Sequence, residues 1–310
     1  MQINIQKTKN SFKKKLLGLQ LKDGLLFKAL IYALLIGIGF VYVYPLLYMV
    51  SISLQNLQDL LSPSVLYIPS QLYLDNIWTS FQVLKYFETL LSSLSVTLLP
   101  ALLQTMVASL IGYGFAKFEF PLKRVIFGIV ILTYIIPPQL IMIPRFVLFN
   151  DLNLIGSVWA IILPASLGQG LYSAVFILIF YQFYKMIPKA LEEAAQIDGA
   201  SPLYIYFKIA IPLSIPSFIT SFLFSFVWYW NETYTSSLML NNVVETLQLR
   251  LLTFVSSYQD LFPGDAALIN EGVRMAATLL IILPMLIVYL FIQKLFIQGI
   301  DQSGLAGGEQ

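Results

Sequence analysis

The sequence contains no cysteine and no histidine among its 310 residues, and only 11% of its residues are charged. Without cysteine the chain has neither a disulfide framework nor a thiolate site. Without histidine it lacks the commonest metal ligand and general base, so enzyme mechanisms that depend on either residue type are excluded. A soluble domain carries about 25% charged residues because its surface faces water. The low charge content therefore argues against an ordinary water-soluble surface.

Apolar residues are what the sequence has in abundance, with 58% hydrophobic residues and a mean hydropathy of +0.79. Crossing a bilayer as a helix takes about 20 predominantly apolar residues. The long runs lack the two-residue alternation of barrel strands. We therefore predict an all-α integral membrane protein with six transmembrane helices. The predicted spans are 27–50, 90–114, 125–143, 161–183, 212–231 and 274–293.

Lysine and arginine are distributed unevenly between alternate connections of these spans. Fourteen lie on the side of the two termini and four on the other side. The positive-inside rule then predicts that both termini are cytoplasmic, as an even number of spans requires. The apolar run after the basic N-terminal segment is too long for a signal peptide and lacks a cleavage site. The net charge of +2 gives no indication of nucleic-acid binding.

The connection between the fourth and fifth predicted spans has the most informative pattern, which lies between Pro188 and Pro202. Pro188 suits the first turn of a helix, and Gly199 suits its C-terminal end. Ser201 before Pro202 is typical of the N-cap of a second helix. The pattern predicts a helix, a sharp turn and a second helix at the cytoplasmic face. These residues alone fit either a docking knob for another protein or an amphipathic helix at the headgroups.

This connection resembles the EAA loop of ABC importer permeases, whose pattern is Glu-Ala-Ala, three residues, Gly, nine residues and Ile-x-Leu-Pro. Glu193-Ala194-Ala195, Gly199 and Ile209-x-Ile211-Pro212 have the same intervals, with Ile211 in place of the Leu. Other stretches are similar to carbohydrate-importer permeases of the MalG type, and the resemblance covers about residues 25–305. These stretches are Gly112 to Pro121, Ile136-Pro137, Ile143-Pro144, Trp230-Asn231-Glu232 and Lys294 to Ile300.

The resemblance implies a MetI-like type I importer permease fold and a transporter subunit rather than an enzyme. This chain and a second, MalF-like permease would form the pathway, and an extracytoplasmic sugar-binding protein would deliver the solute. Two partner ATPase subunits would bind ATP and Mg. We expect no cofactor in this chain, which lacks a phosphate-loop motif. The residues expected to couple to the ATPase are Glu192, Glu193, Ala194, Ala195, Asp198, Gly199 and Ala200.

The expected location is the bacterial cytoplasmic membrane, where lipid surrounds the spans. By analogy with the family, Gln302 to Gln310 could also reach the ATPase, although their glycines equally suit a disordered tail. The predicted segments are a basic cytoplasmic N-terminal segment (1–26), a first transmembrane helix (27–50), an extracytoplasmic loop (51–89), a core permease domain with five transmembrane helices (90–293) that contains the EAA loop (186–212), and a cytoplasmic C-terminal tail (294–310).

Polar and aromatic residues inside or at the ends of spans are candidates for a substrate pathway. Saccharides bind by hydrogen bonds to hydroxyl groups and by stacking on aromatic rings, and an amide in hydrocarbon is costly unless it faces protein or water. Aromatic residues at the ends of spans equally form an interfacial belt. The candidates are Gln104, Gln169, Tyr172, Trp228, Tyr229, Trp230, Asn231 and Glu232.

The predicted function is half of the translocation pathway of an ATP-driven importer for a sugar, with an oligosaccharide as the expected substrate class. A permease for a non-sugar solute such as an amino acid is one alternative, because it would share the EAA loop. An ion-coupled secondary transporter is another alternative. Such carriers usually keep ionisable groups near the middle of the membrane, and predicted spans one to five have none away from their ends. The sequence leaves the identity of the sugar open.

Overall fold

Proline and glycine divide the apolar chain into helices of very different lengths. The computed structural model describes residues 24–264 and 269–305, and every regular element within these ranges is helical. The predicted basic segment as far as residue 23 and the tail beyond residue 305 lie outside the described residues. The helices are α1 (Leu25–Ser53), α2 (Leu57–Leu61), α3 (Asp75–Val83), α4 (Tyr86–Lys117), α5 (Lys123–Ile135), α6 (Pro138–Asp151), α7 (Trp159–Ser166), α8 (Ser173–Met186), α9 (Lys189–Ile197), α10 (Pro202–Ile205), α11 (Ile211–Leu213), α12 (Ile215–Asn231), α13 (Tyr234–Leu240), α14 (Leu247–Leu252), α15 (Phe254–Leu261) and α16 (Glu271–Leu305), with a π-helical turn, Tyr206–Ala210, between α10 and α11.

Three helical segments are individually long and apolar enough to cross a membrane: α1, α4 and the Glu271–Lys294 part of α16. Three further pairs meet the same test together but are bent at a short break. The bends are 99° between α5 and α6, 72° between α8 and α9, and 76° between Pro202–Leu213 and α12. The predicted all-helical membrane fold is confirmed, and these helices allow three to six spans, depending on whether each bent pair counts as one.

Three predicted spans are not continuous helices, and one of them, the fifth (212–231), is broken near its start at Ser214. The third, 125–143, is interrupted at Ile136-Pro137, where ψ is 120° and 130°. Proline lacks an N–H group and disfavours helical geometry in the residue before it, so two successive prolines end α5. The fourth, 161–183, is interrupted between Ser166 and Ser173. We call the residues of this interruption, 167–172, the 167–172 break.

The chain divides into two compact units, one of residues up to Ile77 with Asn270–Leu279, and one of Trp78–Ile269 with the residues from Leu280 onward. In the first unit, the Asn76 side chain donates hydrogen bonds to the carbonyl oxygens of Ser53 (3.0 Å) and Gln55 (2.7 Å). These bonds satisfy the carbonyl group of Ser53, which the end of α1 leaves unpaired, and that of Gln55, two residues beyond the helix. The first long connection therefore contains two short helices, α2 and α3.

In the second unit, α4 packs against α7, α8 and α12, and the connection after α12 is also folded. Residues 234–261 include the short helices α13, α14 and α15. Arg250 of α14 lies 2.7 Å from the Glu245 carboxylate, and its Nε donates a 3.0 Å hydrogen bond to the Val83 carbonyl oxygen. These contacts hold the connection against the residues before α4.

The contact between α4 and α8 depends on the absence of a side chain at Gly112. A Cβ atom there would lie 2.7 Å from Phe180 Cβ and 2.9 Å from the backbone nitrogen of Tyr181. Backbone atoms cannot move aside as a side chain can, so the two helices would have to separate. Close approach of membrane helices through small residues is a common packing mode.

We expect Gly112→Ala to lower the free energy of unfolding by about 1–3 kcal/mol, the usual cost of overpacking. The thermal midpoint of the purified protein in detergent measures this effect. Gly114→Ala is the matched control, because a Cβ at Gly114, two residues further along the same helix, meets no atom within 4 Å. Equal midpoints for the two variants would contradict the close-packing explanation.

Candidate functional site

The predicted helix–turn–helix is present at α9 and α10. Gly199 has φ +83°, its N–H donates to the Gln196 carbonyl oxygen (3.0 Å), and the Ala200 N–H donates to the Ala195 carbonyl oxygen (2.9 Å). This pair of bonds satisfies the last carbonyl groups of α9, as glycine at the end of a helix commonly allows. The hydroxyl of Ser201 accepts the Tyr204 N–H at 3.2 Å and caps α10. We call residues 188–202 the docking loop.

The two adjacent glutamates of the docking loop face different surroundings. The Glu192 carboxylate lies 2.9 Å from Lys117 Nζ, and both side chains are largely buried, with exposed fractions of 14% and 8%. Lys117 also donates a 3.0 Å hydrogen bond to the Ile187 carbonyl oxygen, so the end of α4 holds the start of α9. Glu193 and Ala194 are exposed, and Ile197 is 86% exposed. Glu192 therefore positions α9, while the neighbouring residues are free to bind a partner.

A buried cluster of hydroxyl groups connects the segment that follows the docking loop to α4 and α8. Ser109 Oγ of α4 lies 2.6 Å from the Tyr184 hydroxyl of α8 and 3.0 Å from the Tyr206 hydroxyl. The Ser214 hydroxyl donates to the Tyr184 hydroxyl at 3.1 Å. Buried hydroxyl groups that satisfy one another fix the relative positions of the elements that carry them. A displacement of the segment after α10 would thus act directly on α4 and α8.

A second polar cluster holds the 167–172 break in place. Gln104 of α4 is fully buried, and its Nε2 donates a 2.7 Å hydrogen bond to the Leu171 carbonyl oxygen. The Tyr229 hydroxyl of α12 donates to Gln104 Oε1 at 2.7 Å and accepts the Leu171 N–H at 3.1 Å. Non-helical backbone at membrane depth is tolerated where it is buried in protein or lines a water-filled cavity. The Gln104–Tyr229 pair satisfies both backbone groups of Leu171, which a continuous helix would have paired within itself.

Arg145 of α6 lies beside this cluster, at a cavity of about 20 Å³ that Tyr229 and Glu232 also line. Its guanidinium donates a long, 3.5 Å hydrogen bond to the Gln169 carbonyl oxygen. Within the described residues no carboxylate lies within 4.0 Å of the guanidinium. A cavity of this size holds a water molecule rather than a sugar. The cavity is therefore a water-sized space with a cation beside it.

Tyr172, Trp228, Trp230 and Asn231, which were also predicted to lie on the pathway, do not line the cavity beside Arg145. The Tyr172 and Trp228 rings lie 4.7 Å apart, and Tyr134 contacts Tyr172 at 6.2 Å, which gives a separate aromatic surface. Trp230 is only 3% exposed and packs on Phe226. The exposed Asn231 amide donates to a carbonyl of its own helix.

The structure therefore brings Gln104, Tyr229 and Glu232 together at the break, with Gln169 present through its backbone carbonyl. The sequence prediction missed Arg145 and Gly170, both of which line the cavity. A cation isolated within the apolar stretch 125–149 was the available signal for Arg145. Among the described residues, no group of three or more Asp and Glu side chains could hold a metal ion.

The chain is similar to known transport proteins in both sequence and fold. A sequence model described as "Binding-protein-dependent transport system inner membrane component" matches residues 104–302. The polygalacturonan/rhamnogalacturonan transport system permease protein YtcP of Bacillus subtilis is 32% identical over 88% of this chain and 96% of its own length. The arabinooligosaccharides transport system permease protein AraQ of Halalkalibacterium halodurans is 29% identical over 87% of this chain and 93% of its own length.

The lactose transport system permease protein LacG of Rhizobium radiobacter is 27% identical over 86% of this chain and 93% of its own length. Among solved structures, a chain of a bacterial ABC transporter involved in the import of the acidic polysaccharide alginate has the same fold. Its TM-score is 0.61 at 23% sequence identity, with 86% of this chain and 96% of that chain covered.

Proposed function

This chain belongs to the family of binding-protein-dependent transport system inner membrane components, the permease subunits of ABC importers, and we propose that it imports an oligosaccharide. The proposed substrate class rests on what the relatives of this chain transport. The Bacillus subtilis relative transports polygalacturonan and rhamnogalacturonan, and the Halalkalibacterium relative transports arabinooligosaccharides. The chain is a transporter subunit rather than an enzyme, and members of its family work with a binding protein and an ATPase.

The proposed assembly pairs this chain with a second, MalF-like permease, two ATPase subunits that bind ATP and Mg, and an extracytoplasmic sugar-binding protein. Both termini and the docking loop would lie on the cytoplasmic side, as the lysine and arginine distribution indicates. The exposed residues of the loop, among them Glu193, Ala194 and Asp198, would contact the ATPase. Glu192 would act through its ion pair with Lys117 rather than by direct contact.

The proposed pathway passes the 167–172 break. ATP-driven movement of the docking loop would reach α4 and α8 through the Ser109 hydroxyl cluster. The same α4 holds the break through Gln104, so movement of α4 would widen the small cavity beside Arg145. The aromatic surface of Tyr172 and Trp228 supplies stacking faces for sugar rings. Arg145 would complement the carboxylate of an acidic sugar, the substrate class of the polygalacturonan relative.

The test is uptake into proteoliposomes that contain the complete transporter and its binding protein. We expect uptake of an oligosaccharide, from a panel of galacturonate-containing and neutral chains, that requires ATP inside the vesicle. A proton or sodium gradient without ATP should drive none. Gradient-driven uptake without ATP would indicate a secondary transporter instead. ATP-dependent uptake of amino acids but of no sugar in the panel would indicate a non-sugar importer.

A further inference from the structure

A large polar groove lies beside the docking loop and is separate from the proposed sugar pathway. It has a volume of about 890 Å³ and lies between the α4–α5 connection, the first turn of α5, the end of α8 and α9. We call it the basic groove, because five cations and three carboxylates line it. These residues are Lys117, Lys123, Arg124, Lys185 and Lys189, with Glu119, Glu192 and Glu193.

Two of the five cations are neutralised within the chain, and three are not. Lys117 pairs with Glu192 and Lys123 pairs with Glu119, each at 2.9 Å. In the described part of the chain, Arg124, Lys185 and Lys189 have no carboxylate within 4.0 Å. The remaining carboxylate, Glu193, is exposed. The groove therefore carries a local excess of positive charge.

The cations of the groove lower the pKa of Glu119, which also lines the groove. Its pKa lies below the ordinary value, first because of the hydrogen bond from Lys123 and the charge of Lys123. Arg124 and Lys189 lower this pKa further through their charges. Arg124 of α5 and Lys189 of α9 are therefore both close enough to Glu119 to affect its charge.

Two helices begin at the groove with their N–H groups uncapped by a side chain. α5 starts at Lys123-Arg124 with no acidic residue in its first turn, and α9 starts at Lys189. Cations at a helix N-terminus oppose the helix dipole, and an anion there satisfies both the N–H groups and the dipole. The acidic residue in the first turn of α9, Glu192, is already engaged by Lys117. An anion in the groove would meet free cations and two positive helix ends.

Apolar side chains flank the same cations on the helices that enter the membrane. Leu122 is 70% exposed, Val125 is 57% exposed and Met186 is 65% exposed. The Lys185 ammonium lies 5.8 Å from the centroid of the Tyr181 ring. A free inorganic anion makes no use of exposed apolar surface, whereas a lipid brings a phosphate and acyl chains together. Basic pockets between membrane helices on the cytoplasmic side are suited to anionic headgroups.

We propose that the basic groove binds the headgroup phosphate of an anionic phospholipid of the cytoplasmic leaflet, through Arg124, Lys185 and Lys189. The acyl chains lie along the exposed apolar residues of α5 and α8. The bound lipid neutralises the first turns of α5 and α9 and holds α9 at its angle to the membrane. The proposal depends on the cytoplasmic position of the docking loop and not on which solute is imported.

The test compares two triple variants of the complete transporter with wild type. Arg124→Gln/Lys185→Gln/Lys189→Gln removes the three free cations of the groove, all of them exposed, so that folding is preserved. Lys28→Gln/Lys208→Gln/Lys294→Gln removes three exposed cations outside the groove on the same predicted side of the membrane. Each complex is extracted from vesicles of phosphatidylcholine and phosphatidylglycerol, and native mass spectrometry measures the retained lipid.

We expect wild type and the control variant to retain phosphatidylglycerol in preference to phosphatidylcholine. The groove variant should retain at least about tenfold less phosphatidylglycerol, given the contribution of each basic residue at an anionic membrane. Inorganic phosphate should not displace the lipid. Equal losses in the two variants, or displacement by inorganic phosphate alone, would overturn the proposal. A groove variant that keeps its lipid but loses the copurifying ATPase would show that the groove binds the protein partner instead.

Discussion

Gly199→Val is expected to lower solute-stimulated ATP hydrolysis by the assembled transporter about 5- to 30-fold. Gly199 adopts φ +83° in the turn between α9 and α10, and the left-handed region costs a residue with a side chain about 1–2 kcal/mol. A β-branched residue is a particularly poor fit there. The turn relieves this strain by changing the angle between α9 and α10, which moves the docking surface. ATP hydrolysis in proteoliposomes, with and without solute-loaded binding protein, measures the loss.

Gly264→Val is the matched control for this prediction. Gly264 has φ +100°, and a Cβ at either glycine meets no atom within 4 Å, so the two substitutions impose the same kind of backbone strain. Gly264 lies in the connection after α15, far along the chain from the docking loop. We expect near-normal coupling in Gly264→Val and normal membrane insertion of both variants. Equal losses of coupled ATP hydrolysis in the two variants would refute a specific role for the Gly199 turn.

The helical membrane fold and the docking loop could both be predicted because they depend on local sequence. Low charge content and long apolar runs indicate a membrane protein, and this inference does not depend on tertiary contacts. Likewise Pro188, Gly199 and Ser201 act on the backbone within a few residues of themselves, and the structure places the helix starts and the turn next to them. Local backbone preferences and composition were sufficient for these features.

The different roles of Glu192 and Glu193 could not be predicted, since the two residues are chemically identical neighbours. The difference comes from the rotation of α9 relative to Lys117, which lies at the end of α4 and meets only Glu192. Tyr229 and Trp230 show the same limitation. One makes the hydrogen bonds at the break, and the other packs on Phe226 of its own helix. A sequence pattern identifies both residues of such a pair as candidates, but the role of each depends on contacts with residues that are distant in the sequence.

The 167–172 break was missed for a related reason. The stretch 161–183 is apolar enough to be one span, and its glycines are compatible with a membrane helix. The hydrogen bonds that compensate for the interrupted helix come from Gln104, 67 residues before Leu171, and from Tyr229, 58 residues after it. Pairings over such separations are not visible in a single sequence. Gln104 and Tyr229 stay predicted pathway residues, and the structure shows in addition that both form hydrogen bonds to the backbone of the break.

Gly170→Ala is expected to lower the stability of the protein more than Gly112→Ala does. A methyl group at Gly170 would overlap both Gln104 Oε1 and the Tyr229 hydroxyl, and would lie 3.0 Å from the Ala165 Cα atom. Overpacking costs about 1–3 kcal/mol, and each buried polar group left unpaired costs about 1–3 kcal/mol more. We therefore expect the free energy of unfolding to fall by about 3 kcal/mol or more and solute uptake to be lost. Thermal unfolding in detergent and uptake into proteoliposomes measure the two effects.

The double variant Gly170→Ala/Tyr229→Phe separates disruption of this network from general damage. Tyr229→Phe removes one of the two oxygens that the new methyl group meets, but it also removes two hydrogen bonds at the break. If the overlap causes the loss, the double variant should be destabilised by less than the sum of the single changes, because the two sites are in contact. Gly128→Ala, at an exposed position of α5 with no atom within 4 Å of the added Cβ, should leave stability and uptake unchanged. Strict additivity in the double variant would mean that the overlap with the Tyr229 hydroxyl does not cause the loss of stability in Gly170→Ala.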